Sequence, residues 1–379
     1  MRFEFATATR IIFGEGTSAS LPDLARGFGT RPLVVTGASP ERTESLVAAL
    51  SAQTFAVSGE PTVDLVREGA RRALDANCDV VISSGGGSVI DAGKAIAILA
   101  TNGGEPLEFL ETVGKGRAIS VPPLPFIAVP TTAGTGSEVT RNAVLGSTEH
   151  NVKASLRSPL MLPRGAVIDP ELTYGLAPEV TAFTGLDALT QLIEPYVSIR
   201  ANPLVDAICA DGIKRIAGAL RRAYHNGEDR DARRDMALAS LFGGLALANA
   251  GLGVVHGFAA PLGGQWKAPH GALCAALLAH GMAANVAAMH ARAPQHPALE
   301  RYSAIAHLLT GRKDASAEDG IEWVRALSAE LSTPALSAWG VTEDDFPSVV
   351  EKAAKASSMQ ANPLPLTEEE LIAVVRAAL

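Results

Sequence analysis

Residues 79–99, DVVISSGGGSVIDAGKAIAIL, set an apolar run, three consecutive glycines with Ser88, and an Ala-rich helical pattern in direct succession. That order fits a buried strand entering a tight turn and leaving it as a helix, the repeating unit of an α/β sheet. Gly85, Gly86 and Gly87 let the backbone turn sharply and approach an anion. The helix that follows turns free N–H groups and the positive end of its dipole toward the same point. Ile90 stands where the last glycine of a G-x-G-x-x-G fingerprint would fall, so the standard dinucleotide motif is not implied. Taken alone, the turn is equally well explained as a strand-to-helix loop that needs small residues.

The first half of the chain repeats this alternation. Short apolar runs at 33–36, 55–57, 80–83, 126–129 and 166–168 read as strands, and 63–77 and 89–100 as helices, which predicts a parallel sheet. After the run at 126–129 comes PTTAGTGSE, where Thr131, Thr132, Gly134, Gly136 and Ser137 make a second loop of small residues and hydroxyls. Such a loop can hydrogen-bond a phosphate, a ribose or an amide. Two loops of this kind at the carboxyl ends of parallel strands match the place where open α/β sheets bind ligands. From Ala177 onward strand signals nearly vanish, and Ala/Leu-rich segments of helical spacing are divided by breakers such as Asn202-Pro203, Gly263-Gly264 and Pro334. The expected architecture is an α/β nucleotide-binding domain with a parallel sheet over 1–176 and an all-α helical domain over 177–379. Residues 311–320 read as a polar loop, and no internal repeat is seen.

A length of 379 residues suits two domains rather than one core. With 47% hydrophobic and 19% charged residues, and no apolar run free of charges and breakers over a bilayer's width, the chain reads as soluble and globular. Its start, MRFEFATATRIIFGEG, lacks the features of a secretory signal, so the cytoplasm is the default expectation. A net charge of -8 argues against a nucleic-acid surface. The cluster of Arg221, Arg222, Arg230, Arg233 and Arg234 is interleaved with acids and reads as a solvated face. Cys78, Cys209 and Cys274 stand far apart in apolar surroundings, which predicts reduced, buried thiols rather than disulfides or sulfur ligands.

In TAFTGLDALTQLIEPYVS, Asp187 and Gln191 lie four apart in a helical pattern and share one face, among Leu186, Leu189, Leu192 and Ile193. A carboxylate on a mostly buried helix needs a partner or a metal; a bond to the backbone near the helix start answers the same need. Downstream, His256 and His270 are separated by Pro261, Gly263, Gly264 and Pro269, breakers that exclude one continuous helix. Two imidazoles at two helix ends can converge from opposite sides, and with a carboxylate they suit Zn²⁺ or Fe²⁺. Each histidine alone is more often a satisfied core or surface residue than a ligand.

Together and in this order, GGGSVIDAGKA, PTTAGTGSEVT, GLDALTQLIEPYVS and PHG resemble the iron-containing (group III) alcohol dehydrogenases, and the likeness runs from RIIFGEG to NPLPLTEEEL. The resemblance implies an N-terminal α/β domain, a C-terminal helical domain, an active site in the cleft between them, and commonly a homo-oligomer, here expected as a dimer. It implies NAD(P)H, a divalent metal and a small alcohol or aldehyde substrate, with neither nucleic acid nor membrane as partner. By position, Gly85, Gly86, Gly87 and Ser88 resemble the pyrophosphate loop with Asp91 behind it. Thr131 and Thr132 resemble nicotinamide-side contacts, and Asp187, His256 and His270 match three of four metal ligands. The fourth ligand is a histidine in the family; here it is Gln191, whose amide oxygen is a neutral, harder donor and lowers affinity for Fe²⁺ or Zn²⁺. Ala260 stands where many members carry a histidine that helps relay the proton.

On this reading the metal acts as a Lewis acid on the substrate oxygen, and hydride passes between the adjacent carbon and nicotinamide C4. Lys153 resembles a cleft-lining lysine able to attract an anionic substrate group, although a lysine in such a place is more often a solvated surface residue. Gly37 stands where NAD(H)-preferring members often carry an aspartate; with Ser39 and Arg42 nearby, a 2′-phosphate meets no repulsion there. The rivals are a metal-independent reductase like the maleylacetate reductases, a dehydroquinate synthase-like lyase, and a relative that only binds.

Overall fold

The structure, a computed structural model, describes residues 2–111, 113–147 and 152–379, the side chains of Pro40, Arg42 and Val152 excepted. It divides into two compact units, Ala6–Tyr174 and Gly175–Leu379, the latter joined by residues 2–5.

The first unit is built on a six-stranded sheet of β1 (Ile11–Phe13), β2 (Pro32–Thr36), β3 (Gln53–Ala56), β4 (Val80–Gly85), β5 (Phe126–Pro130) and β8 (Gly165–Ile168), in the order β1-β8-β5-β4-β2-β3. Every neighbouring pair is parallel. Helices α1 (Leu21–Arg26), α2 (Glu44–Leu50), α3 (Val63–Asp75), α4 (Gly87–Asn102) and the short α5 (Pro106–Phe109) accompany the strands. Leu33 and Val35 pack into one apolar cluster with α3 and α4, whereas Val34 packs into another with α1 and α2. Burial of both faces explains why PLVVT is apolar throughout rather than alternating.

From β2 the chain steps to β3 on one side and returns through α3 to β4 on the other, so the strand order reverses between β2 and β4. Register then gathers the loops at this reversal. Thr36 pairs with Ser84 and Gly85 with Pro130, which brings Gly37, the glycine turn and Thr131 to neighbouring strand ends.

Two features were not legible in the apolar runs. The three-residue β1 forms an edge beside β8, too short for its periodicity to register. An antiparallel hairpin of β6 (Asn142–Ser147) and β7 (Val152–Arg157) follows the second loop.

Among the described residues the second unit contains helices and no strands: α6 (Pro178–Val197), α7 (Pro203–His225), α8 (Arg230–Ala250), α9 (Val254–Trp266), α10 (His270–Arg292), α11 (Ala298–Thr310), α12 (Ala317–Glu330), α13 (Phe346–Lys355) and α14 (Glu368–Ala377). Apolar on nearly every side, α6 is buried along most of its length, as expected of a helix enclosed by others. The start of α10 lies directly on α6, because a Cβ at Gly271 would fall 2.5 Å from the carbonyl oxygen of Phe183. Although α10 has the length and apolarity of a membrane span, 72% of its apolar window is buried within the fold.

Three sequence expectations need correction. Pro261, Gly263 and Gly264 do not break the chain but lie inside α9; the break falls at Lys267–Pro269, where Lys267 takes a left-handed conformation with φ 55°. Burial of Val255, Phe258 and Leu262 offsets the roughly 3 kcal/mol cost of an internal proline. The segment 311–320 is only partly a loop, since Ser316 and Asp319 form a reciprocal cap that starts α12 at Ala317. Arg233 is not on a solvated face. Only 2% exposed, it donates to the carbonyls of Gly227 and Leu176 and to the Thr181 hydroxyl, so its charge is satisfied by dipoles rather than acids.

Candidate metal centre and cofactor loops

Three helices of the second unit converge on one buried group. Asp187 and Gln191 occupy successive turns of α6, His256 lies in the first turn of α9, and His270 opens α10. Nε2 of His256 stands 3.3 Å and Nε2 of His270 3.7 Å from Oδ1 of Asp187. That oxygen is buried and has no hydrogen-bond partner. Sγ of Cys274, one turn after His270, is 3.9 Å from His256 Nε2 and 3.6 Å from His270 Nε2. The four ligand atoms all lie within 4.8 Å of one another. The surroundings of Cys274 are therefore not apolar, as its sequence neighbours suggested.

Glu194 completes the arrangement. Its Oε2 lies 2.7 Å from Nδ1 of His256 and its Oε1 accepts from the Val255 N–H at 2.7 Å. A proton on Nδ1 directed to this carboxylate leaves the Nε2 lone pair facing Asp187 and Cys274, the tautomer that a metal requires. Burial pushes the Asp187 carboxyl up, but His270, His256 and the Gln191 side chain outweigh it and hold the group below its ordinary value. Burial opposes charge on His270 too, yet the neighbouring Cys274 and Asp187 raise it to about 8.

Four-coordinate bonds of about 2.0–2.2 Å to nitrogen and oxygen and about 2.3 Å to sulfur would place nitrogen roughly 3.3–3.5 Å from oxygen and roughly 3.5–3.6 Å from sulfur. The 3.3 and 3.7 Å separations to Asp187 and the 3.6 and 3.9 Å separations to Cys274 lie near those edges. An unpartnered buried carboxylate oxygen facing two imidazoles is otherwise costly, so these residues fit a divalent cation.

In the first unit, Gly85, Gly86, Gly87 and Ser88 form the turn from β4 into α4, whose start has no side-chain cap. A Cβ at Gly87 would lie 2.7 Å from Thr135, so the two loops approach this closely there because Gly87 lacks a side chain, whereas one at Gly86 would sit in ordinary contact with Thr132 at 3.5 Å. Gly37 follows β2, and Ser39 is exposed beyond it. The side chain of Arg42 lies outside the described residues. Ser137 and Asp91 are engaged with each other: the Ser137 hydroxyl donates to Asp91, whose other oxygen accepts from the Val144 N–H. Fully buried Lys94 donates to Ser137, Thr140 and the Asn142 carbonyl. Burial drives the Lys94 ammonium down to about 8, against the attraction of Asp91 and Glu138. Lys153, on β7, has its Nζ 3.1 Å from Glu60, a counter-charge that the sequence did not reveal.

Sequence reasoning missed Glu194 and the placement of Cys274. Helical spacing carried both signals: Glu194 lies seven residues after Asp187 and Cys274 four after His270, on the same faces.

Residues 8–170 match the family model for iron-containing alcohol dehydrogenase and residues 181–379 the C-terminal model of the same family. Alcohol dehydrogenase 4 of Schizosaccharomyces pombe is 41% identical over 85% of this chain and 74% of its own length. The 1,3-propanediol dehydrogenase of Klebsiella pneumoniae is 39% identical over 85% and 81%. A crystal structure of 1,3-propanediol oxidoreductase superposes with a TM-score of 0.90 at 33% identity, covering all of both chains. A sulfoacetaldehyde reductase from Bifidobacterium kashiwanohense in complex with NAD+ superposes at 0.87 with 28% identity, over 100% of this chain and 99% of that one. The fold, the loops and the ligand cluster thus agree with one assignment: the chain belongs to the iron-containing alcohol dehydrogenase family and is an NAD(P)-dependent oxidoreductase.

Proposed function

We propose that Asp187, His256 and His270 hold the divalent metal of this enzyme, and that it interconverts a small primary alcohol and its aldehyde. The observation that carries this reading is the buried, unpartnered Oδ1 of Asp187, with both imidazole Nε2 atoms turned toward it. When bound, the metal supplies a Lewis acid for the substrate oxygen and the nicotinamide supplies or accepts the hydride. Asp187 contributes the negative charge that offsets the cation, and Glu194 keeps His256 in the tautomer with Nε2 free. Gly85–Ser88 and the N-terminus of α4 receive the pyrophosphate, and Thr131 and Thr132 contact the nicotinamide side. Asp91 and Ser137 act from behind, by fixing the second loop against α4. Lys153, already paired with Glu60, is assigned no part in the chemistry. A homodimer in the cytoplasm is the setting that the family resemblance suggests.

Gln191 gives a specific reason to weigh a metal-independent reductase of the same fold, because an amide replaces the expected imidazole. The experiment is elemental analysis of protein purified without chelators, alongside NADH and NADPH oxidation with short aldehydes, for the wild type and Asp187→Ala. The expected result is about one Fe²⁺ or Zn²⁺ per chain, lost in the variant, with turnover lower by at least about a thousandfold. Turnover by metal-free wild-type protein, unchanged in the variant, sinks the metal reading.

A further inference from the structure

We infer that the thiolate of Cys274 is a direct ligand of the metal, giving an Asp–His–His–Cys site in which sulfur from α10 fills the place left by the imidazole absent at Gln191. The inference rests on the metal reading above and goes further by naming a donor that this chain supplies for itself.

Geometry is the first support. Cys274 is buried, lies one turn beyond His270 on the same face of α10, and has its sulfur 3.6 and 3.9 Å from the two imidazole nitrogens. These separations are close to the roughly 3.5–3.6 Å edge between nitrogen and thiolate sulfur around a four-coordinate ion. A buried thiol with a purely structural role needs no such polar neighbours. Cys274 instead faces the two imidazoles and the unpartnered Asp187 oxygen.

The second support is the orientation of Gln191. Its amide oxygen lies against α8, 3.1 Å from the position of a Cβ on Gly243, and its side chain also hydrogen-bonds the Asp187 carboxylate. The amide oxygen is buried without a hydrogen-bond partner of its own, and as a neutral, harder donor it is weaker toward Zn²⁺ or Fe²⁺ than the sulfur of Cys274.

Two consequences follow from sulfur ligation. Thiolate and carboxylate together balance a divalent charge, and the thiol proton leaves to solvent as the ion binds, so binding tightens with rising pH. A sulfur donor also favours zinc over harder cations such as Mg²⁺ and Mn²⁺.

X-ray absorption at the zinc edge of zinc-loaded wild-type protein reads the donor atoms directly, without a variant. The expected spectrum requires one sulfur at about 2.3 Å beside nitrogen and oxygen at about 2.0–2.2 Å. Cobalt-loaded wild type should show a near-ultraviolet thiolate-to-cobalt charge-transfer band, and Cys274→Ser should abolish it while still binding one cobalt more weakly. A stoichiometric zinc site with only nitrogen and oxygen neighbours overturns the role of Cys274 and leaves the metal reading intact. Failure of the wild type to bind zinc, cobalt or iron overturns both.

Discussion

Glu194 and His256 are joined at 2.7 Å between Oε2 and Nδ1, both buried, the carboxylate carried by α6 and the imidazole by the first turn of α9. Because the same carboxylate also accepts from the Val255 N–H, the ring of His256 is fixed in both rotation and tautomer. The variant Glu194→Gln keeps the shape but loses the charge. Metal affinity, measured by competition with a chelator, should fall about 10- to 100-fold with little change in thermal stability. An unchanged dissociation constant would show that His256 is held without Glu194.

Glu138 yields a pH prediction for stability. Burial raises its carboxyl from 4.5 to about 7, only partly opposed by a hydrogen bond from its own backbone N–H and by Lys94. The folded state therefore keeps the proton over a range in which the unfolded chain releases it, and this group's contribution to stability is present below pH 4.5 and is lost as pH rises through 7. Glu138→Gln removes the dependence. The variant should gain on the wild type between about pH 4.5 and 7 and then level off, at up to about 3 kcal/mol. Denaturant melts at pH 5 and 8 test this, and equal differences at the two values count against it.

Cofactor choice is predicted from the end of β2. A Cβ at Gly37 would meet only Val89, at 3.8 Å, so a side chain can be placed there without clash. The wild type should use NADPH at least as well as NADH, and Gly37→Asp should weaken NADPH selectively, by about tenfold or more in kcat/KM, through repulsion of the 2′-phosphate. Steady-state ratios for the two cofactors decide the matter; a strong native preference for NADH defeats the argument.

What the sequence disclosed follows from the range of its signals. The sheet strands buried on both faces announce themselves as apolar runs, and the glycine turn between β4 and α4 is a local pattern, so both are read directly. Asp187, His256 and His270 stood out as candidates because their chemistry is unusual for their apolar neighbours, and the structure brings them together. Cys274 was read as a core thiol because Leu273 and Ala275 beside it are apolar, and only the helical turn back to His270 relates it to the imidazoles. Glu194 was missed because only two turns of helix relate it to Asp187, and its partner His256 lies far away in the sequence. Arg233 was misread for a related reason: its partners are backbone carbonyls and a hydroxyl, at Gly227, Leu176 and Thr181, and no charge pattern reports those.

The contact of α10 with α6 at Gly271, where a Cβ would strike the Phe183 carbonyl, fastens the start of α10, and with it His270, to the helix that carries Asp187. A residue larger than glycine at 271 would force the two backbones apart and carry His270 away from Asp187, so the tightness of this helix crossing sets how closely the ligand atoms can gather.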